Sequence, residues 1–268
     1  MKIAFLGFGT ISRILFEELS SDKESEVSFW GFLDPHVEEG SVDTHMMRKA
    51  NDVGELIRSP AALIVEAAGQ NVVEEYVPDL LKAGKDVLSM TVGAYLNEEL
   101  LSKIEDLCRL EGSGSLYLPS GALPAVDMLR AVSLRRIDSV ELITRKPYEA
   151  LQGAPGLEEV KENSLENKEA ITIFHGDAKE AVRLFPKNAN ISATLSLAGI
   201  GADRTKVTIM ADPSIERNIH KIVVKGEFGE FSAEVASNPS SNPKTSLTAP
   251  MSAVSLIKKL TECVKIGS

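Results

Sequence analysis

The chain has 268 residues, 43% of them hydrophobic and 25% charged, enough apolar length to bury a core in one large domain or two smaller ones. A net charge of −10 makes it a poor partner for the phosphate backbone of nucleic acid, and no polybasic patch is present for a membrane surface. Cys108 and Cys263 stand far apart without metal-ligand spacing, so neither a disulfide framework nor a metal site is expected. No run approaches the ~20 apolar residues of a membrane span. The first apolar run is too short for a secretory leader, so the cytoplasm is the expected compartment.

Residues 2–6 read as a strand and run into Gly7-x-Gly9-x-x-Ser12. Gly7 allows a sharp turn, Gly9 carries no side chain to block a pyrophosphate, and a small residue at 12 lets the following helix pack close to the strand. That helix, starting near Thr10, directs its free N–H groups at the phosphates. Residues 27–33 form the next strand, closed by Asp34, 27 positions after Gly7. A carboxylate there accepts hydrogen bonds from ribose hydroxyls and repels a 2′-phosphate, which favours NAD over NADP. The plain alternative is a solvated aspartate next to Pro35.

The pattern repeats. Residues 62–65 are a strand ending in Glu66-Ala67-Ala68-Gly69, 72–83 a helix stopped by Gly84, and 86–89 a strand. Asn97 caps a helix over 98–111, and 115–118 is a fifth strand. Strands separated by helices predict a doubly wound parallel sheet of Rossmann type. The small residues after the third, fourth and fifth strands, including Ala67, Ala68, Gly69, Ser120, Gly121 and Ala122, leave room for ribose and nicotinamide at one sheet edge.

The second half changes character. Strand-like segments at 140–144, 171–174, 205–210, 219–225 and 230–236, the last two flanking a Gly226-to-Gly229 hairpin, predict an α+β domain on a mostly antiparallel sheet. Residues 149–169 and 237–246 read as irregular links, and a final helix covers roughly 250–264. The division expected is a dinucleotide-binding domain over 1–121, with a C-terminal helix at about 247–268 packing back on it, and a catalytic, substrate and oligomerisation domain over 122–246.

Among His36, His45, His175 and His220, the last stands out because it opens a strand after a polar loop, 211–219, rich in groups that bind or orient. Histidine suits proton transfer near neutral pH, although most histidines are surface or packing residues. Asn188 and Asn190 precede a helix, where an asparagine either caps it or reaches a ligand. Lys244, Thr245 and Ser246 put a cation and two hydroxyls in a link, suited to a carboxylate or to solvent.

Together the blocks Gly7-Phe8-Gly9-Thr10-Ile11, Glu66-Ala67-Ala68-Gly69, Pro119-Ser120-Gly121-Ala122, Phe185-Pro186-Lys187-Asn188-Ala189-Asn190, Ala211-Asp212-Pro213, Asn218-Ile219-His220 and Asn242-Pro243-Lys244-Thr245-Ser246 resemble the L-aspartate dehydrogenase family along nearly the whole chain. The resemblance implies NAD(P)-dependent oxidation of L-aspartate to iminoaspartate, which hydrolyses to oxaloacetate and ammonia or is handed to quinolinate synthase in NAD biosynthesis. It implies a homo-oligomer, a dimer first. It places the catalytic histidine at His220 and cofactor contacts at the glycine turn, Ala122 and Asn190; Asn188, Lys244, Thr245 and Ser246 are the candidates for the substrate carboxylates. Leu123-Pro124 stands where relatives often carry Ile-Gly. The alternatives of the same architecture are a reductase of the dihydrodipicolinate reductase or homoserine dehydrogenase kind and a non-catalytic nicotinamide-binding sensor.

Overall fold

The computed structural model describes residues 1–38, 47–157, 170–185, 190–238 and 246–267. They fall into two compact units, one made of Met1–Pro119 and Pro250–Ile266, the other chiefly of Ser120–Ala249.

The first unit is built on six parallel strands, β1 (Lys2–Leu6), β2 (Ser28–Leu33), β3 (Arg48–Lys49), β4 (Leu63–Glu66), β5 (Asp86–Ser89) and β6 (Leu116–Tyr117), in the order β3-β2-β1-β4-β5-β6. This is the doubly wound order, with the chain reversing direction across the sheet between β1 and β4. β1 beyond Lys2 and the whole of β4 are buried, which is why both read as unbroken apolar runs rather than alternating ones. Helices α1 (Thr10–Ser21), α2 (Val53–Arg58), α3 (Gln70–Lys82) and α4 (Glu98–Cys108) connect the strands. α1 buries Ser12, Leu15 and Leu19, one helical face, and Asn97 caps α4 by accepting the N–H groups of Glu99 and Leu100. Beside β1 and β2, Phe5, Phe8, Phe16, Phe29 and Phe32 pack ring on ring. The two-residue β3 and six-residue α2 escape the sequence reading because neither is long enough to show a period.

The second unit holds β7 (Ile137–Lys146), β8 (Ile171–Asp177), β9 (Thr205–Ala211), β10 (Asn218–Gly226) and β11 (Gly229–Ser237), in the order β11-β10-β7-β9-β8. Every pairing is antiparallel except β7 with β9, so the sheet is mostly antiparallel as expected. Its helices are α5 (Val126–Val132), α6 (Tyr148–Leu151), α7 (Ala178–Leu184) and α8 (Asn190–Ala198). The segment read as irregular, 149–169, therefore begins with the short α6 and a 3-10 turn at Pro155–Leu157; residues 158–169 lie outside the described part. β7 alternates from Val140 onward and β10 alternates as far as Lys225, and Val140, Leu142, Ile222 and Val224 join Val207 and Ile209 of β9 on the inward face against Leu129, Ala181 and Leu195. α9 (Thr248–Thr261) follows; Lys258 near its end pairs with Asp22 at 2.5 Å. No helix among the described residues is long and apolar enough to cross a membrane.

Candidate active site

In the first unit, the carboxyl ends of β1, β2 and β4 converge on the glycine turn. Gly7 sits at φ +86°, and a Cβ there would fall 2.8 Å from the Ala68 Cβ and 2.9 Å from the Ala67 backbone, so only glycine fits. The Gly7 N–H donates to the Leu33 carbonyl at 2.8 Å, and the buried Ser12 hydroxyl donates back to the Gly7 carbonyl at 2.6 Å. Ser12 therefore does more than replace the third glycine of the pattern: it ties the helix to the turn.

Gly9 is the N-cap of α1, with no side chain capping the helix and nothing within 4 Å of where a Cβ would stand. The open cradle and the uncapped N–H groups of the first turn fit a pyrophosphate. The Phe8 ring lies in the aromatic core, so at this position only the backbone is available to a ligand. Thr10 and Ile11 open α1 and are half-buried.

Asp34 accepts the Phe8 N–H on Oδ2 and the His36 N–H on Oδ1, each at 2.8 Å. Both bonds fix the carboxylate beside the turn, and each oxygen keeps a further lone pair for a ribose hydroxyl. Ala67, Ala68 and Gly69 follow β4, and Gly69, at φ +126°, is the N-cap of α3. This segment is held from beneath by Glu66, whose fully buried carboxylate accepts the N–H groups of Ala68 (2.8 Å) and Gly69 (3.1 Å) and the hydroxyls of Ser89 (2.5 Å) and Thr91 (2.8 Å). An acid ending an apolar strand was visible in the sequence; that it anchors two β–α turns at once was not.

In the second unit, the inward face of the sheet turns polar at one end. β7 carries Thr144 and Lys146 on the phase that buries Val140 and Leu142, and β10 carries Asn218 and His220 on the phase that buries Ile222 and Val224. His220 is 2% exposed and Lys146 5%. His220 pairs with Thr144 in register, and its Nδ1 lies 3.1 Å from the Thr144 hydroxyl. The Asn218 amide donates to Ser246 Oγ at 3.1 Å, and Ser237 exchanges a hydrogen bond with Thr248 at 3.0 Å.

Just past β9, the Asp212 N–H donates to the Lys146 carbonyl at 2.8 Å. The Asp212 side chain accepts from Ser214 and is paired with Arg145. Burial alone would raise the Asp212 carboxyl, but Ser214 and Arg145 hold it below the ordinary aspartate range.

Burial, aided by the positive charge of Lys146, pushes the His220 imidazole down to about 3; burial also pulls the Lys146 ammonium down to about 8. His220 is thus a neutral hydrogen-bonding ring at ordinary pH, and Lys146 is the group that changes charge near it. Ala122 is buried on the turn after Gly121, and Asn190 is the exposed first residue of α8. Asn188, Lys244 and Thr245 lie outside the described residues, as does His45. The sequence reading named His220 and Ser246, which lie at this polar end, and did not name Thr144, Lys146 or Asn218. The signal for Lys146 was its place on the buried phase of β7, two positions beyond Thr144.

The family profile for the C-terminal part of aspartate dehydrogenase matches residues 127–260, and that for the NAD-binding domain of homoserine dehydrogenase matches residues 7–118. The L-aspartate dehydrogenase of Methanosarcina acetivorans is 48% identical over 219 residues, covering 81% of this chain and 79% of the relative. That of Methanococcoides burtonii is 37% identical over 274 residues and covers both chains in full. Among solved structures, an aspartate dehydrogenase from Thermotoga maritima superimposes with a TM-score of 0.77 at 22% identity, covering 100% of this chain and 99% of the other. A dihydrodipicolinate reductase from Paenisporosarcina reaches 0.53 at 13% identity, a likeness of fold. The chain belongs to the L-aspartate dehydrogenase family.

Proposed function

We propose that the protein oxidises L-aspartate to iminoaspartate with a nicotinamide dinucleotide, NAD in preference to NADP. The observation that carries this reading is the buried polar end of the β7–β10 sheet around His220, in a chain whose full-length relatives are L-aspartate dehydrogenases. When bound, the cofactor supplies a hydride acceptor. The residues assigned to hold it are Gly7, the Phe8 backbone, Gly9, Thr10, Ile11, Asp34, Ala67, Ala68 and Gly69, and, from the family resemblance, Ala122 and Asn190. The carboxylate of Asp34, with no cationic side chain directly after it, is the reason to put NAD first.

His220 is the catalytic histidine of this reading. Held neutral, it orients the substrate amine or the water that later attacks the imine, with Thr144 fixing its ring. Asn188, Lys244, Thr245 and Ser246 are assigned to the two substrate carboxylates, Lys244 supplying charge. The reading extends to a cytoplasmic homodimer with residues 1–121 as the dinucleotide domain and 122–246 as the catalytic and oligomerisation domain, and to release of iminoaspartate to quinolinate synthase.

Initial rates of NAD+ and NADP+ reduction with L-aspartate, D-aspartate, L-glutamate and L-malate test it. The expected result is turnover with L-aspartate alone and a drop in kcat of about 100-fold or more in His220→Ala, with NADH binding unchanged. NADH binding without any turnover of L-aspartate would make the protein a sensor, and turnover of a different substrate would place it with other reductases of this fold.

A further inference from the structure

Proton removal from the substrate amine needs a group that is buried beside the reacting carbon, yet uncharged in a useful share of molecules. His220 is buried with its Nδ1 engaged by the Thr144 hydroxyl, and burial pushes its imidazole down to about 3, so orienting the substrate suits it better than taking that proton. On the same inward face, one strand over, stands Lys146. It is the last residue of β7, two positions beyond the Thr144 that pairs with His220, and close enough for its charge to weaken the imidazole.

We propose that Lys146 is a further catalytic residue: it contacts the α-amino group of aspartate and takes its proton, while His220 orients the substrate. This rests on the reading that the polar end of the second unit's sheet receives the substrate.

The step balances. One N–H bond of the α-ammonium breaks as a new N–H bond forms at Lys146 Nζ. The freed nitrogen lone pair then makes the C=N bond while the Cα–H pair leaves as hydride to the oxidised nicotinamide. The carbon is oxidised, the nicotinamide reduced, and the proton on Nζ passes to solvent before the next turnover. A lysine titrating at about 8 is suited to this, since it is partly neutral where the substrate amine is still protonated.

Of the ionisable groups that the flanking described strands present, His220 on β10 faces Lys146. On the β9 side, Asp212 turns its carboxylate to Arg145 and Ser214, and Arg145 itself lies on the opposite phase of β7.

The test uses the full chain, with Lys146→Ala and Lys146→Arg. Arginine keeps the charge but does not release its proton below a pH of about 12, so a residue needed only to attract a carboxylate tolerates it and a base does not. Expected for both variants are a fall in kcat/KM with L-aspartate of about 100-fold or more, unchanged NADH binding, and loss of the rate limb near pH 8. Ethylamine added to Lys146→Ala restores part of the rate.

In the parent, 13C NMR of labelled lysines shows one side chain titrating near 8, a readout that does not depend on either variant folding. Turnover of Lys146→Arg within about threefold of the parent, or a parent spectrum in which all lysines titrate near 10.5, overturns the assignment. A parent that fails to turn over L-aspartate removes the underlying reading as well; a fully active Lys146 variant removes only this one.

Discussion

Replacing Glu66 by glutamine keeps the shape of a fully buried side chain and changes only its charge and one of its two acceptors. Every partner of the carboxylate is a donor: Ala68 N–H, Gly69 N–H and the Thr91 hydroxyl on Oε1, the Ser89 hydroxyl and, at 3.4 Å, the Thr91 N–H on Oε2. A glutamine that leaves its carbonyl in the Oε1 position turns its NH2 toward Ser89, whose hydroxyl can rotate to accept, and toward the Thr91 N–H, which cannot. Hydrogen bonds to a charged group contribute about 1.5–3 kcal/mol and neutral ones about 0.5–1.5, so four short bonds lose about 4 kcal/mol together. A neutral amide is cheaper to bury than a carboxylate, which returns part of this and leaves a net loss of about 2–3 kcal/mol.

The same bonds hold the Ala67-to-Gly69 segment and the turn after β5, so loosening them weakens NADH binding by about tenfold, the equivalent of about 1.4 kcal/mol. Trp30, the single tryptophan, lies on β2 of the same unit, so urea unfolding followed by its fluorescence reads the stability loss. Titration of nicotinamide fluorescence reads the binding. A Glu66→Gln protein with the parent's unfolding midpoint and the parent's NADH affinity would refute the argument that this carboxylate locks the turns.

Gly9→Ala adds a methyl group into open space, so its stability stays within about 0.5 kcal/mol of the parent while NADH affinity falls by about tenfold or more, measured by the same two titrations. Gly7→Ala, with a Cβ driven into the Ala67 backbone and a left-handed conformation that costs about 1–2 kcal/mol, loses both stability and binding. Asp34→Ala removes the repulsion toward a 2′-phosphate and the acceptor for the Phe8 N–H: the ratio of kcat/KM for NADP+ over NAD+ rises by about tenfold, with weaker NAD+ binding.

Stability falls in acid. His220 is lowered from 6.5 to about 3, so the unfolded chain binds a proton that the folded chain refuses; the contribution is intact above pH 6.5 and is lost as pH drops toward 3. At about 1.4 kcal/mol per unit of pH this amounts to roughly 5 kcal/mol, and urea midpoints of the parent and His220→Gln should converge toward low pH. Parallel midpoint curves would contradict the buried neutral imidazole.

The sequence alone determined what is local. Strand and helix periods, the Gly7-x-Gly9 elbow, Asp34 closing the second strand, the Asn97 cap and the Gly226-to-Gly229 hairpin are each written in a few neighbouring residues, because turn geometry and face alternation depend on nothing further away. Ser12 was legible as small and not as the hydroxyl that binds Gly7, and Glu66 as a motif letter and not as an anchor.

The polar end of the second sheet was decided by tertiary structure. Thr144 and His220 are 76 positions apart and meet only because β10 pairs antiparallel with β7; the parallel insertion of β9 on the other side of β7 brings Asp212 to the Lys146 carbonyl. A lysine is ordinary on the solvent phase of a strand and costly on the buried one, and which phase is buried is fixed by the helices packed on that face rather than by any residue beside it in the chain.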